Sequence, residues 1–494
     1  MASQHPDHAS TPYWLNQPFI GTHHETEECF RCFSELGIDE YKWDWEGKLV
    51  DESVIERLLS QHIKYFRQYP LGVKKFLTFR LPNPKVETEF RIGRTFMGIL
   101  TAASLAKQVG FKITPIFEVI LPMTETASEM IDIQEAFREI ASLKHRLYRL
   151  DLGIIKHIKI IPLFEQVSTI IRSDKILKTY LHLHQKKFGY CPRYLRPYLA
   201  RSDPALNSGL VATVVAIKIA LSRYRQFEKQ TGVILHPIIG SASLPFRGGL
   251  TPKTAEDFAH EYQGVKTALI QSAFRNDYQK DDLIKGKKKL GKKLKKGKAK
   301  NIDKISEKKL IKTISFFENS YRKTIESLAP IVNKVASYLP RRRERVQHIG
   351  LFGYSRGVGK VRLPRAIGFT ASLYSLGIPP ELIGTGRGLK KAKQLGSLDL
   401  IEKHYFNLKA DLLRAGRYLS KKNLADLAKK NRHWQEVEKD VLEIENYLDE
   451  ELKPISFEER QHQLLAEKLY SCLRSGQSLT EMISEMAILR KSLG

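Results

Sequence analysis

The sequence predicts an α/β fold: a (β/α)8 barrel of the TIM type with additional helices, followed by a helical C-terminal region. Three observations predict it. Apolar, β-branched runs that end in a polar residue recur roughly every 40 residues. A helical pattern follows each run, as parallel strands require, because their ends can be joined only by a crossover. The polar residues sit at the C-terminal ends of the runs, which is where a barrel presents its chemistry.

Taken in order, residues 1–7 (Met-Ala-Ser-Gln-His-Pro-Asp) are polar and predict no regular structure. A helix is predicted over 25–36. In 37–48, Trp43 and Trp45 alternate with Asp44 and Glu46, the pattern of a strand with one aromatic and one acidic face. An amphipathic helix follows over 54–69. Strand candidates then occupy 75–80, 113–118, 158–165, 194–203, 232–241, 265–275 and 346–356. The long last interval holds a Lys/Gly segment and a helix over 302–338. No eighth strand stands out, and 361–389 is the region left for it.

Beyond Leu398 the chain is helical and highly charged. The expected division is therefore a catalytic barrel domain over 1–397 and a helical region over 398–494, packed on the barrel or forming an oligomer contact. An open doubly wound sheet is the alternative, but no Gly-x-Gly-x-x-Gly follows an early strand. Gly353-Tyr-Ser-Arg-Gly-Val-Gly359 lacks both the spacing and the closing Lys-Ser/Thr of a P-loop.

The 494 residues, 42% apolar and 10% aromatic, are ample for a large core. No uninterrupted run of ~18 apolar residues suggests a membrane span, and the first twenty residues lack a signal-peptide apolar core. A soluble, cytoplasmic protein is expected. Four cysteines, Cys29, Cys32, Cys191 and Cys472, are too few for a disulfide framework. The Cys29-Phe-Arg-Cys32 pair lacks a second pair at zinc spacing and reads as two reduced helix thiols. The formal net charge is +28, and residues 285–300 alone supply ten lysines and no acid. This segment, from Lys285 to Lys300, reads as a solvated, poorly ordered loop. It could touch nucleic acid or an anionic membrane non-specifically, but it lacks aromatics for base stacking and is not expected to carry the function.

Glu165 and Asp203 end two neighbouring strands. Two carboxylates at one barrel mouth suit Mg²⁺ or Mn²⁺, with the remaining positions filled by substrate oxygens and water; each alone could equally cap the next helix. Arginines form a second group: Arg80 and Arg356 close strands, Arg201 precedes Asp203, and Arg247, Arg365 and Arg387 sit in short Pro- or Gly-containing loops. Guanidinium matches carboxylate and phosphate oxygens. Together these residues point to a small anionic, phosphorylated substrate held on a divalent metal.

The motifs Gln4-His-Pro-Asp7, Trp43-Asp-Trp-Glu-Gly-Lys48, Arg80-Leu-Pro-Asn-Pro84, Leu163-Phe-Glu165, Ala200-Arg-Ser-Asp-Pro204, Leu244-Pro-Phe-Arg-Gly-Gly249, Gln271-Ser-Ala-Phe274, Gly353-Tyr-Ser-Arg356 and Leu363-Pro-Arg-Ala-Ile367 together resemble the short, archaeal-type phosphoenolpyruvate carboxylases. The resemblance implies a biotin-independent carboxy-lyase acting on phosphoenolpyruvate and bicarbonate with Mg²⁺ or Mn²⁺. Its products would be oxaloacetate and phosphate, formed through carboxyphosphate and a metal-stabilised enolate in a homotetramer of barrels. It implies that His5 handles the carboxyphosphate proton and that Glu165 and Asp203 ligate the metal. Arg247, Gly248 and Gly249 would serve carboxyl transfer. Arg80, Gln271 and Arg365 would bind substrate.

Longer bacterial and plant members carry a lysine where this chain has Leu206, and their first Gly-Arg-Gly-Gly loop is reduced here to Gly240-Ser-Ala-Ser243. Arg201, Arg275 or Arg356 are the candidates for replacing the missing charge. Two alternatives remain open at this point: another Mg²⁺-dependent barrel lyase acting on phosphoenolpyruvate or pyruvate, and a basic nucleic-acid-binding protein.

Overall fold

Eight short strands run parallel and hydrogen-bond in sequence order: β1 (Ala2–Ser3), β2 (Glu40–Asp44), β3 (Phe76–Arg80), β4 (Glu118–Leu121), β5 (Lys159–Phe164), β6 (Tyr198–Leu199), β7 (Ile238–Ile239) and β8 (Thr267–Ala268). A parallel bridge between Ala2 and Ile270 joins the last strand to the first. There the Ser3 N–H donates to the Ile270 carbonyl at 3.1 Å, and the Ile270 N–H donates to the Met1 carbonyl at 2.8 Å. The sheet closes on itself as a (β/α)8 barrel. This computed structural model describes residues 1–494 except 49, 88–89, 113, 146–147, 150–154, 156, 345–356, 359–360 and 474–478.

The crossovers are α1 (Glu25–Ser34), α2 (Val54–Gln68), α3 (Arg91–Gln108), α4 (Ala127–Ala141), α5 (Val167–Phe188), the pair α6 (Ser202–Ser208) and α7 (Leu210–Thr231), α8 (Ala255–Glu261), and α9 (Ser272–Asn276) leading into α10 (Lys280–Lys296). Local chemistry sets their ends. Thr126 and Glu129 form a reciprocal capping box that starts α4. Gly189 and Gly232, at φ 81° and 73°, stop α5 and α7 in the left-handed region that a side chain resists. α7 is apolar around most of its circumference and is correspondingly buried; the long α11 (Lys304–Ala336) packs against it.

Period-two alternation along the strands separates two cores. Tyr41, Trp43 and Trp45 point outward into the helix layer, where Trp45 lies 3.9 Å from Phe79, centroid to centroid. Inside the barrel, Ile120, Ile161, Leu163, Tyr198, Ala200, Ile238 and Leu269 fill the lumen. Arg196 closes the floor through ion pairs to Glu40 (2.7 Å) and Glu118 (2.6 Å). With the floor sealed and the waist packed, open space remains at the C-terminal mouth.

Several expectations need correction. Residues 4–7 carry no regular structure, but Ala2 and Ser3 form a barrel strand, and β2 is likewise a stave of the barrel. Region 361–389 supplies no eighth strand; it is largely helical, with α12 (Ala366–Ser375) and the start of α13 (Thr385–Gln394). The fourth strand begins at Glu118, where 113–118 was expected to end. Pro115 carries no N–H for a ladder, and pairing starts only beyond it. The Lys-rich segment is not a loop: α10 runs through Lys296, with Leu283, Gly286, Leu290 and Leu294 buried along one face. The candidate strand at 346–356 lies outside the described residues. After α13 come α14 (Leu398–His404), α15 (Leu408–Gly416), α16 (Lys421–Ala428), α17 (Arg432–Leu448), α18 (Phe457–Cys472) and α19 (Thr480–Leu489). No described helix is long and apolar enough to cross a membrane.

Candidate active site

Residues 3–10 are polar yet ordered, because the protein consumes their polar groups one by one. The Ser272 hydroxyl donates to the His5 carbonyl (2.6 Å) and accepts from the backbone N–H of Asp7 (3.0 Å) and His8 (3.1 Å). Asp7 Oδ1 accepts the Ala273 N–H at 2.8 Å, and the Asp277 carboxylate accepts the N–H groups of Ala9 and Ser10. The segment is thereby strapped across α9, just beyond β8. This fixes His5 over the barrel mouth, with Ser3 Oγ 2.9 Å from its Nδ1.

A cavity of about 720 Å³ opens at this mouth. His5, Arg80, Glu165, Asp203, Arg247, Gln271 and Arg365 all line it, so the barrel gathers residues spread over 361 positions of sequence. Arg80, at the end of β3, is clamped by Asp44 (Nε to Oδ1, 2.8 Å) and Glu46 (2.5 Å). Those carboxylates hold its guanidinium above the usual arginine range despite burial. Lys42 lies one inward position deeper on β2, 2.9 Å from Asp44 Oδ1, with its ammonium lowered to about 8 by burial and by Arg80. Burial also holds the His5 imidazole well below the usual histidine range, and Lys42 adds to the effect. A neutral ring with an accepting nitrogen is what a proton-handling histidine needs.

Arg247 is the second anchored cation, 1% exposed. It donates to Ser202 Oγ (3.1 Å), to Gln271 Oε1 (2.8 Å) and to the Gly494 carbonyl, and lies 3.7 Å from Asp7 Oδ2. Burial lowers its pKa, opposed by Asp7 and Asp203. The following Gly248 has φ 131°, and a Cβ there would lie 3.1 Å from Ser241 Cα; Gly249 follows at φ 71°. Only glycine lets this turn lie flat on the 240–243 loop. Arg365 is 44% exposed, with its guanidinium 3.8 Å from Glu46.

Arg201 also lines the cavity but turns its guanidinium into the protein, whereas Arg275 and Arg387 lie elsewhere. The Arg201 guanidinium donates to the Tyr262 hydroxyl (3.0 Å) and to the carbonyls of Phe246 (2.9 Å) and Pro245 (3.1 Å). It braces the turn that carries Arg247. Arg275 does not line the cavity; it donates to the Ile270 carbonyl and to Glu28 at 2.8 Å, in a buried cluster with Arg343. Arg387 is bound to Asp440 and Glu436 on α17. Arg356 lies outside the described residues. Leu206 is fully buried on α6.

Sequence reasoning missed Ser3, Asp7 and Lys42 as parts of the site. Asp7 sits in the His-Pro-Asp motif, and Lys42 shares the inward period-two face of Asp44, so both signals were present. Gly494 joins the site by a tertiary contact that no local pattern announces. Cys29 and Cys32 face the core of α1, where burial pushes the Cys32 thiol up to about 12 and the Cys29 thiol well above its usual value. They are core thiols.

Among the described residues no group of three or more His, Cys, Asp or Glu side chains is arranged to hold a metal ion. Glu165 and Asp203 nevertheless open on the same cavity, and one Glu165 oxygen is oriented by the Met123 N–H at 2.8 Å. Two hard carboxylate donors with room for substrate oxygens and water fit Mg²⁺ or Mn²⁺, which seldom take an all-protein cage.

The sequence model of the family described as phosphoenolpyruvate carboxylase matches residues 1–494. The chain belongs to the phosphoenolpyruvate carboxylase family. It is 38% identical over 498 residues to a phosphoenolpyruvate carboxylase of Oenococcus oeni, covering all of this chain and 98% of the relative. It is also 38% identical over 510 residues to the Methanothermobacter thermautotrophicus enzyme of that name, covering 100% and 99%. The Pyrococcus abyssi phosphoenolpyruvate carboxylase is 39% identical over 430 residues, or 85% and 88% of the two chains. The Oenococcus oeni and Methanothermobacter thermautotrophicus phosphoenolpyruvate carboxylases thus match this chain over its whole length.

Proposed function

We propose that this chain carboxylates phosphoenolpyruvate with bicarbonate, giving oxaloacetate and phosphate. It would need no biotin and would work with Mg²⁺ or Mn²⁺, as a homotetramer in the cytoplasm. Membership of the family supports the reaction. The observation that carries the site assignment is the single cavity shared by a strapped His5, two anchored arginines and two carboxylates.

Arg80 binds the phosphate of the substrate. Held rigid by Asp44 and Glu46, it loses little freedom on meeting the anion. A bicarbonate oxygen attacks phosphorus, the bridging P–O bond breaks, and carboxyphosphate and the enolate of pyruvate result. His5, fixed through Nδ1 by Ser3, takes the carboxyphosphate proton on Nε2 as CO₂ and phosphate separate. The enolate carbon then captures CO₂. Arg247 holds the carboxyl fragment near the enolate, Gln271 orients Arg247, and Arg201 positions the turn from below. Gly248 and Gly249 allow that turn its close approach. Arg365, at the rim, contacts the substrate as it enters. A divalent ion held by Glu165 and Asp203 would supply Lewis-acid stabilisation of developing negative charge. The enolate must be kept from water, which would otherwise protonate it to pyruvate.

The test is oxaloacetate formation coupled to malate dehydrogenase, with and without bicarbonate. Bicarbonate-dependent NADH oxidation is expected. Its absence with Mg²⁺ or Mn²⁺ and both substrates present would overturn the proposal.

A further inference from the structure

The catalytic site uses few of the chain's excess positive charges. A large share sits on α10, the helix that follows β8 and α9. Its sequence, Lys-Asp-Asp-Leu-Ile-Lys-Gly-Lys-Lys-Lys-Leu-Gly-Lys-Lys-Leu-Lys-Lys, carries two patterns at once. Leu283, Gly286, Leu290 and Leu294 recur at helical spacing and are buried. Gly286 marks the closest approach: a Cβ there would lie 2.7 Å from Pro252 Cα. The apolar face is thus committed to the barrel and pinned along its length.

The lysines are left on the outside. Lys287 is spent on the carbonyls of Leu36 and Gly37, while Lys289 and Lys293 share Glu256 at 2.9 and 3.9 Å. Lys285, Lys288, Lys292, Lys295, Lys296 and Lys298 are exposed and form no ion pair with a described residue. Positions 285, 288, 292 and 295 or 296 fall on one side of the helix and span about 16 Å along its axis at 1.5 Å per residue. A rigid row of cations of this kind concentrates positive potential in a line.

We infer that α10 is a docking ridge for the phosphodiester backbone of a nucleic acid, bound without regard to sequence. The charge is complementary, and 16 Å of duplex axis presents roughly ten phosphates at one per 1.7 Å. Around these lysines the ridge offers no aromatic side chain for stacking on bases, so recognition stops at the backbone. A membrane surface is the less suitable partner: binding there draws on apolar side chains entering the lipid, and this helix has turned its leucines into the protein.

The experiment uses the full chain and a fluorescein-labelled duplex of about 20 base pairs of arbitrary sequence. Anisotropy is measured between 50 and 200 mM salt. With the five lysines on that side of α10 engaged, log K against log[salt] has a slope of about −4.5. Replacing Lys288, Lys292, Lys295 and Lys296 by glutamine, a comparably good helix former, lowers the slope to about −1 and affinity at 0.1 M salt by at least about 100-fold. Bicarbonate-dependent turnover of that variant stays at the wild-type value, which also shows that it folds. The inference is overturned if the duplex does not bind, or if the variant binds as the wild type does. It is also overturned if vesicles of anionic phospholipid are bound through these lysines while the duplex is not.

Discussion

Ser3 Oγ and His5 Nδ1 lie 2.9 Å apart, and the backbone of Ser3 pairs with Lys42 of β2. A residue that is part of the barrel wall therefore sets the ring of a residue that hangs over the barrel mouth. Ser3→Ala removes the partner of Nδ1 and lets the ring rotate and change tautomer. We expect kcat to fall by about 10-fold, a fraction of what acid–base catalysis contributes, with KM for phosphoenolpyruvate little changed. Ser3→Thr, which keeps the hydroxyl, should restore the rate. A Ser3→Ala enzyme with wild-type kcat across the pH profile would show that the contact has no catalytic part.

Asp203→Asn keeps the shape of α6 and removes one of the two carboxylates assigned to the metal. Turnover should drop by about 10³-fold, equivalent to roughly 4 kcal/mol of transition-state stabilisation. The wild-type melting temperature should rise on adding Mg²⁺, because a ligand of the native state stabilises it by mass action. The variant should lose that rise while melting near the metal-free wild type. Near-wild-type rates would remove Asp203 from the site.

Arg275 and Glu28 form a buried pair at 2.8 Å, away from the cavity. Arg275→Met leaves Glu28 to Arg343 and the Tyr41 hydroxyl and should cost about 3 kcal/mol of stability. The variant should melt several degrees lower while keeping its KM for phosphoenolpyruvate. A raised KM with unchanged melting would instead make Arg275 a substrate ligand.

His8 is fully buried between Ser272 Oγ (3.0 Å) and the Pro18 carbonyl (2.8 Å), and burial lowers its pKa to about 4. Below pH 6.5 the unfolded chain takes up a proton at this residue that the folded chain does not. Its contribution is therefore present above pH 6.5 and lost as pH falls toward 4, by up to about 3 kcal/mol, with no further loss below. Melting curves of wild type and His8→Gln at pH 7 and pH 4.5 check this. The gap between them should shrink or reverse at the lower pH.

Much of this architecture was legible in the chain. The runs ending at Arg80, Glu165 and Asp203 announced strands because apolar alternation stops where the polar cargo begins, and the structure places all three at the cavity. The remaining elements were hidden for physical reasons. β1 consists of two residues in a polar stretch, and its stability comes from neighbours on β2 and beyond β8 that no local window contains. The leucines of α10 were masked by the lysines between them, so charge density hid a helical period of burial. Arg275 and Arg80 look alike in sequence, each ending an apolar run. They differ because Arg275 meets Glu28 from α1, a contact 247 residues apart, whereas Arg80 meets carboxylates on the adjacent strand.

The pairing of Ala2 with Ile270 also has a consequence for biogenesis. A ribosome makes residues 2 and 3 hundreds of residues before Ile270, so the first stave must wait for the last before the cylinder can shut. Contacts this distant are slow to form and leave sheet edges open meanwhile. His5 cannot reach its place over the barrel mouth until that seam closes. A nascent or truncated chain lacking Ile270 and the residues after it would carry His5 tethered but unplaced, and the proposed activity would appear only with completion of the ring.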